Sequence, residues 1–270
     1  MIEKFVETNS YLTKTKLPVS DFVINPYVGC PHGCKYCYAR FMKRFTFHDE
    51  PWGDFVDVKL CKKGLNVDKL IGKSITMSSV TDCYNPAEEK YQITRGILEQ
   101  LQGVDVEITI VTKSALVLRD IDILKKLNNV QVAFSINTLD ENFKNDMDKA
   151  SSIADRINAL KVLKENGIST VVFMSPMFPG ITDFKAIIEA TKEFVDVFWF
   201  VNLNLRAGYK ADIMAYVKEK YKELYPLYEQ IFNKKDRGFW IGLAKEIDEY
   251  CVKNKLKFVN YFYHEEIRKK

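Results

Sequence analysis

The sequence predicts an α/β chain in which βα units repeat around a parallel sheet, with a helical extension at the C-terminus. Three observations predict it. Short β-branched runs alternate with longer stretches of helical period along the 270 residues. Several runs are nearly continuous in apolar residues, as strands covered on both faces require. Polar or reactive residues then follow these runs, where a parallel fold gathers its chemistry.

In chain order, strands are expected at 21–24, 55–60, 74–79, 106–111, 130–136, 170–174 and 197–203. Helical periodicity predicts helices at 91–102, 121–127, 151–166 and 183–194. In the third of these, Ile153, Ile157, Leu160 and Leu163 recur at core spacing and Gly167 marks the stop. Helices at 212–233 and 239–253 precede a last strand-like run at 257–263. No internal repeat, low-complexity stretch or Pro/Gly/Ser-rich linker interrupts the chain, which argues for one domain.

A hydrophobic fraction of 47% supports a sizeable core. No apolar run approaches the ~20 residues that span a bilayer, so no membrane partner is expected. The first residues, Met1-Ile-Glu-Lys-Phe5, lack the basic-then-apolar order of a secretory signal, so a reducing cytoplasm is expected. The net charge of +4 is too mild to define a nucleic-acid partner.

The chemistry centres on Asn25-Pro-Tyr-Val-Gly-Cys-Pro-His-Gly-Cys-Lys-Tyr-Cys-Tyr-Ala-Arg40. Cys30, Cys34 and Cys37 are spaced to clamp one face of a cuboidal iron–sulfur cluster, with turns at Gly29 and Gly33 aiming the sulfurs inward. A closed structural site normally takes four protein ligands, so three thiolates imply an open, reactive metal position. Zinc and a disulfide are the alternatives. Zinc favours paired C-x2-C units or a Cys/His set, and the six cysteines show no disulfide framework. This loop follows the first strand. Ser79-Val-Thr-Asp82, Thr112-Lys-Ser114, Ser135-Ile-Asn137, Ser175-Pro-Met177 and Asn202-Leu-Asn-Leu-Arg206 close later strands, so all can converge on one mouth.

With these residues the chain resembles the radical S-adenosylmethionine (SAM) superfamily, whose signature is this cysteine spacing followed by an aromatic, here Tyr38. Asn25-Pro-Tyr, Tyr36-Cys-Tyr-Ala-Arg40, Thr81-Asp-Cys-Tyr-Asn-Pro-Ala-Glu88, Thr112-Lys-Ser114 and Asn204-Leu-Arg206 resemble its spore photoproduct lyase-like group. The likeness runs over residues 20–206. It implies a partial (β/α)6 TIM-like barrel, with 1–206 as the core and 207–270 as helices and a last strand packed on the same domain. It also implies a [4Fe–4S] cluster on Cys30, Cys34 and Cys37 that binds SAM and cleaves it reductively to a 5′-deoxyadenosyl radical. A flavodoxin or ferredoxin would supply the electron.

Carried over by position, the resemblance gives Tyr36 a backbone contact to adenine and makes Thr81, Lys113 and Ser135 SAM-contacting residues. Lys113 would pair with the SAM carboxylate, against the alternative of a solvated surface lysine. Asn137 would reach the ribose, or else simply serve the turn before Thr138. Pro176 and Met177 would flank the adenine, or else pack. The lyases' hydrogen-donating cysteine is matched by Ser79, a poor donor. Cys83 is then either a relocated donor or a small packing residue. Tyr36 and Tyr38 resemble a radical relay, though aromatics are common there.

Glu89 reads as a helix-start carboxylate while Glu88 stays open. Arg156 reads as a surface i,i+4 partner, with SAM the alternative. Cys61 and Cys251 read as core, and 218–235 as a solvated amphipathic helix. No second cysteine cluster follows, so no auxiliary cluster is expected. The substrate class stays open between nucleic acid, peptide and small molecule. A modifying enzyme acting on a peptide or protein, and a non-catalytic iron–sulfur or zinc nucleic-acid module, are the rival readings.

Overall fold

The computed structural model describes residues 1–17, 19–205 and 207–263. Eleven strands form two sheets among these residues. They are β1 (Ile2–Glu7), β2 (Leu12–Lys14), β3 (Phe22–Ile24), β4 (Tyr27–Val28), β5 (Phe55–Leu60) and β6 (Lys73–Met77). β7 (Val106–Thr112), β8 (Asn129–Ser135), β9 (Ser169–Met177), β10 (Val197–Asn202) and β11 (Phe258–Asn260) follow. The larger sheet runs β11-β10-β9-β8-β7-β6-β3-β2. From β3 through β10 every neighbour pair is parallel. Six parallel strands, β3 and β6 to β10, thus make the partial (β/α)6 barrel wall. β2 adds an antiparallel edge and β11 a parallel one.

Nine α-helices are described. They are α1 (Ala87–Tyr91), α2 (Ile93–Gln100), α3 (Ile121–Leu124), α4 (Glu141–Met147), α5 (Ile153–Glu165) and α6 (Phe184–Thr191), then α7 (Lys210–Lys220), α8 (Tyr225–Tyr228) and α9 (Gly238–Lys253). Three starts have side-chain caps: Asp140 for α4, Ser152 for α5 and Asp183 for α6 each accept an N–H of the first turn. Gly167, at φ +76°, takes the left-handed turn that ends α5.

Three expectations need correction. The run at 55–60 is a strand, but it lies outside the barrel. As β5 it pairs with β1 and β4 in a three-stranded sheet. The helix expected at 91–102 is split, because Gln92 adopts a left-handed φ of +51° between α1 and α2. The helix expected at 212–233 breaks at Tyr221 and continues as short turns through α8 and a π-helical turn at Glu229–Asn233. The stretch 218–235 is amphipathic as expected, with Tyr228 and Ile231 buried and Glu219, Lys220, Glu229 and Gln230 exposed, but it is not one continuous helix.

The small sheet underlies the cysteine loop. Gly29, at φ +86°, sits so close to β5 that a Cβ would lie 2.3 Å from the Phe55 carbonyl oxygen. Only glycine fits there. Gly53 likewise abuts the Gly33 backbone. One large core joins the barrel helices to the C-terminal extension, with Trp240, Ile247 and Cys251 in the same cluster as Phe198 and Phe200. No helix among the described residues is long and apolar enough to cross a membrane.

Candidate active site at the strand C-termini

The cysteine loop leaves β3, turns through β4, and lies at the C-terminal end of the parallel wall. Two tight turns shape it: Gly33 N–H bonds the Cys30 carbonyl at 3.2 Å and Cys37 N–H the Cys34 carbonyl at 3.1 Å. The loop is held from both sides. Lys35 N–H donates to Met147 O at 2.9 Å, and Lys149 N–H to His32 O at 2.8 Å. The Thr81 hydroxyl donates to the Gly29 carbonyl at 2.7 Å.

All six cysteines are free thiols, so the disulfide alternative is not adopted. Cys30, Cys34 and Cys37 are half-buried. Burial, then repulsion from Asp82 and from the other two sulfurs, pushes Cys30 well above an ordinary thiol. Cys34 is pushed up to about 12 by burial, against the pull of the Lys113 ammonium. Cys37 is raised by burial but eased by the Ala39 N–H, the Trp52 indole N–H and Lys113. Bound iron would supply the positive charge that lets three such buried sulfurs ionise.

The indole N–H of Trp52 strengthens that fit. It is buried near Cys37 with no hydrogen-bond partner, a donor free to point at a cluster sulfur. Among the described residues no three His, Cys, Asp or Glu side chains converge on a point where one ion would sit. In a cuboidal cluster each thiolate takes a different iron, so the sulfurs need not share such a point. The donor set fits a [4Fe–4S] cluster.

Two carboxylates, neither assigned a role from sequence, organise the surroundings. Asp82 accepts from Thr112 Oγ1, from Lys113 N–H at 2.8 Å and from Tyr84 N–H at 2.9 Å, and it faces His32 Nδ1 at 3.4 Å. Burial favours its neutral form, but His32 and these donors outweigh burial and hold the carboxyl below the usual range. The second, Asp148, accepts from Arg156 Nη2 at 2.7 Å and from the Tyr36 hydroxyl at 3.2 Å. Arg156 also donates to Ser135 O at 3.0 Å and Ser151 O at 2.9 Å. Arg156 is fully buried, which corrects its surface-pair reading. Its guanidinium is consumed by the carboxylate and two carbonyls, a planar multi-donor role that lysine does not reproduce.

The sequence-selected residues divide by location. Lys113 stands over the Tyr36 ring at 5.7 Å and acts on both Cys34 and Cys37, so it belongs to the cysteine site rather than to open solvent. Tyr36 has a buried ring packed edge-on to Phe178 at 5.5 Å. Tyr38 is largely exposed and its hydroxyl bonds the Ser79 carbonyl. The Ser79 hydroxyl accepts from Asn25 Nδ2 at 2.9 Å. Ser135 closes β8, buried, with its carbonyl on Arg156. Asn137 Nδ2 donates to the Pro176 carbonyl at 3.0 Å, tying the loop after β8 to β9.

Two candidates sit elsewhere. Cys83 is fully enclosed in the core beside Ser78, Asp82 and Glu88, and burial pushes its thiol far up. Met177 is likewise buried in the main core. For both, the packing alternative is the one their surroundings support. Glu88, left open from sequence, is a buried structural anchor. It receives Thr94 N–H at 2.8 Å, Arg95 N–H at 3.2 Å and Arg119 Nη2 at 2.6 Å. Cys251 is core, and Cys61 packs at its margin with its thiol on Gly64 O. Arg206 of the Asn204-Leu-Arg206 motif lies outside the described residues.

Trp52 and Asp148 were not recognised as site groups from the sequence; Asp82 was placed at the mouth without a role, and Arg156 was weighed only as a surface pair or a SAM contact. Asp82 had a usable signal, adjacent to Thr81 in the loop after an apolar strand. Trp52, a lone indole in a polar stretch, had a weaker one.

The sequence profile of the radical SAM superfamily matches residues 24–193. An uncharacterized protein of Methanocaldococcus jannaschii is 40% identical over 223 residues, covering 82% of this chain and 85% of the relative. A radical SAM Nalpha-GlyT isomerase of Pseudomonas phage M6 is 28% identical over 163 residues, covering 58% of this chain and 33% of the isomerase. Among solved structures, a spore photoproduct lyase variant with bound AdoMet and dinucleoside spore photoproduct superposes with a TM-score of 0.59 at 17% identity. That match covers 77% of this chain but only 64% of the lyase chain. At such identity it shows the fold, the same open parallel barrel. With the profile spanning the cysteine loop and most of the wall, and the three thiols gathered at its mouth, the chain belongs to the radical SAM superfamily, whose enzymes use a [4Fe–4S] cluster and S-adenosylmethionine.

Proposed function

We propose that this protein is a photoproduct-lyase-like radical SAM enzyme whose cluster is held by Cys30, Cys34 and Cys37, and that it starts its reaction by abstracting hydrogen from substrate. When bound, the cluster and SAM supply a 5′-deoxyadenosyl radical. The residues of this chain bind, orient and shield. Lys113 offers an ammonium beside Cys34 and Cys37, suited to the SAM carboxylate through a charge-assisted bond in a dry mouth. Thr81 fixes the Gly29 carbonyl and so the approach of the cysteine loop. Asp148 and Arg156 hold the Tyr36 ring and the end of β8 in register, which steadies the wall at Ser135. Asn137 links that wall to Pro176. Tyr38 closes one side of the opening over Ser79.

The observation that carries this reading is the set of three free thiols on one tightly turned loop at the strand C-termini, with the Lys113 ammonium over the Tyr36 ring within that loop. Anaerobic reconstitution should give about four irons per chain, and reduction with SAM should release 5′-deoxyadenosine. Single Cys→Ala changes at the three positions should lose both iron and cleavage. A chain that takes up one zinc and leaves SAM intact would defeat the proposal.

A further inference from the structure

The segment after Cys37 exposes an unusual amount of aromatic surface. Tyr38 (59%), Phe41 (41%), Phe45 (65%) and Phe47 (102%) all stand open to solvent between positions 38 and 47. Tyr38–Phe45 is a 3-10 helix. In that geometry side chains three apart eclipse, so Tyr38, Phe41 and Arg44 form one ridge. The Arg44 guanidinium lies 5.6 Å from the Phe41 ring centroid and 4.7 Å from that of Phe45.

Charge follows the same segment. Between Cys30 and His48 the chain has Lys35, Arg40, Lys43 and Arg44 and no Asp or Glu. Contacts with distant parts of the chain fix the ridge beside the mouth: the Tyr38 hydroxyl on the Ser79 carbonyl, and Arg40 on Asp212 at 3.0 Å. Rings this exposed mark an interaction surface. An apolar protein partner would have to desolvate the interleaved cations. Single-stranded nucleic acid satisfies both features, because bases stack on rings and phosphates pair with the cations.

We propose that the ridge Tyr38–Phe41–Arg44, with Phe45 and Phe47, is a stacking platform for single-stranded nucleic acid that leads a strand to the barrel mouth. That the strand presents the substrate rests on the enzyme reading above; the binding surface itself does not.

The test titrates the reconstituted full chain against fluorescein-labelled, mixed-sequence single-stranded DNA and RNA, followed by anisotropy. Saturable binding is expected to one or both. With three phosphates engaged at a slope of about 0.7 each, doubling the salt should weaken it about fourfold. Arg44→Glu, and Phe45→Ala combined with Phe47→Ala, should each weaken it by about tenfold or more. Both are surface changes, and their chemically reduced uncoupled SAM cleavage should match the parent chain. No binding by the parent, variants that bind as tightly, or salt-independent binding would overturn the platform. So would variants that keep nucleic-acid affinity but lose reduction by an acidic flavoprotein, since the ridge would then dock a protein. Nucleic-acid binding without SAM cleavage would sink the enzyme reading and leave the platform standing.

Discussion

Beyond burial and the Ala39 N–H, the Cys37 sulfur has two side chains of different character near it, the Trp52 indole and the Lys113 ammonium. Hydrogen bonds to cluster sulfurs favour the more electron-rich, reduced state. Trp52→Phe keeps the ring against Phe55 but deletes the donor. We expect the cluster couple to move to lower potential by an amount on the order of 59 mV, a tenfold change for a one-electron couple. An EPR-monitored redox titration reads it, and an unchanged midpoint would remove Trp52 from the site. Lys113→Ala should weaken SAM binding by about tenfold, the lower range for a lost bond to a charged group. Calorimetry on the reconstituted protein checks this, and iron content should be retained. At this scale the sequence was most informative where spacing alone encodes chemistry, at Cys30, Cys34 and Cys37. It misled at Arg156, whose i,i+4 spacing fits a surface pair although Asp148, Ser135 and Ser151 consume its donors in the core. A charge buried against a carboxylate eight positions away leaves no periodic trace.

Elements meet through loops at the mouth, and Asp82 is the joint with most connections. It ties the loop after β6 to the end of β7 and to His32 within the cysteine loop. Asp82→Ala should destabilise the chain by about 3–5 kcal/mol, the cost of breaking a buried paired charge, measured by urea unfolding. A loss under 1 kcal/mol would show the joint to be dispensable. At the opposite end of the barrel, Asp196 accepts Thr170 N–H at 3.0 Å and pairs with Lys164. Burial raises its carboxyl, but Lys164 and Thr170 outweigh burial and hold it below the usual range. A lowered carboxyl stabilises the fold above the unfolded value of about 3.9, and that stability is lost as pH falls through the folded value. Asp196→Asn should therefore be less stable than the parent at neutral pH, and the gap should shrink as pH falls below the unfolded carboxylate range. A difference that persists in acid would assign the effect to packing. The β5 correction also belongs to this scale. Its apolar residues read like a barrel strand, but its partner β1 (Ile2 opposite Phe55) is remote in sequence, where local periodicity carries no pairing information.

Across the whole molecule, the C-terminal extension completes the wall. β11 pairs in parallel with β10, and Trp240 of α9 is buried against Phe239 and Phe262. Trp240→Ala should cost about 3–5 kcal/mol in a urea titration that monitors the whole chain. If the barrel signal stays unchanged while only the extension melts, the two are not one cooperative unit. The parallel order of the wall was legible because strands buried on both faces are written as apolar runs, each closed by polar residues where the barrel opens. The cysteine motif was legible because three ligands of one cluster must lie close in sequence. Whether neighbouring polar residues outside that motif reach the mouth was not. Cys83 and Asp82 are adjacent, yet one is sealed in the core and the other joins three loops. That choice depends on side-chain direction and on partners far along the chain, which only the packed tertiary structure fixes.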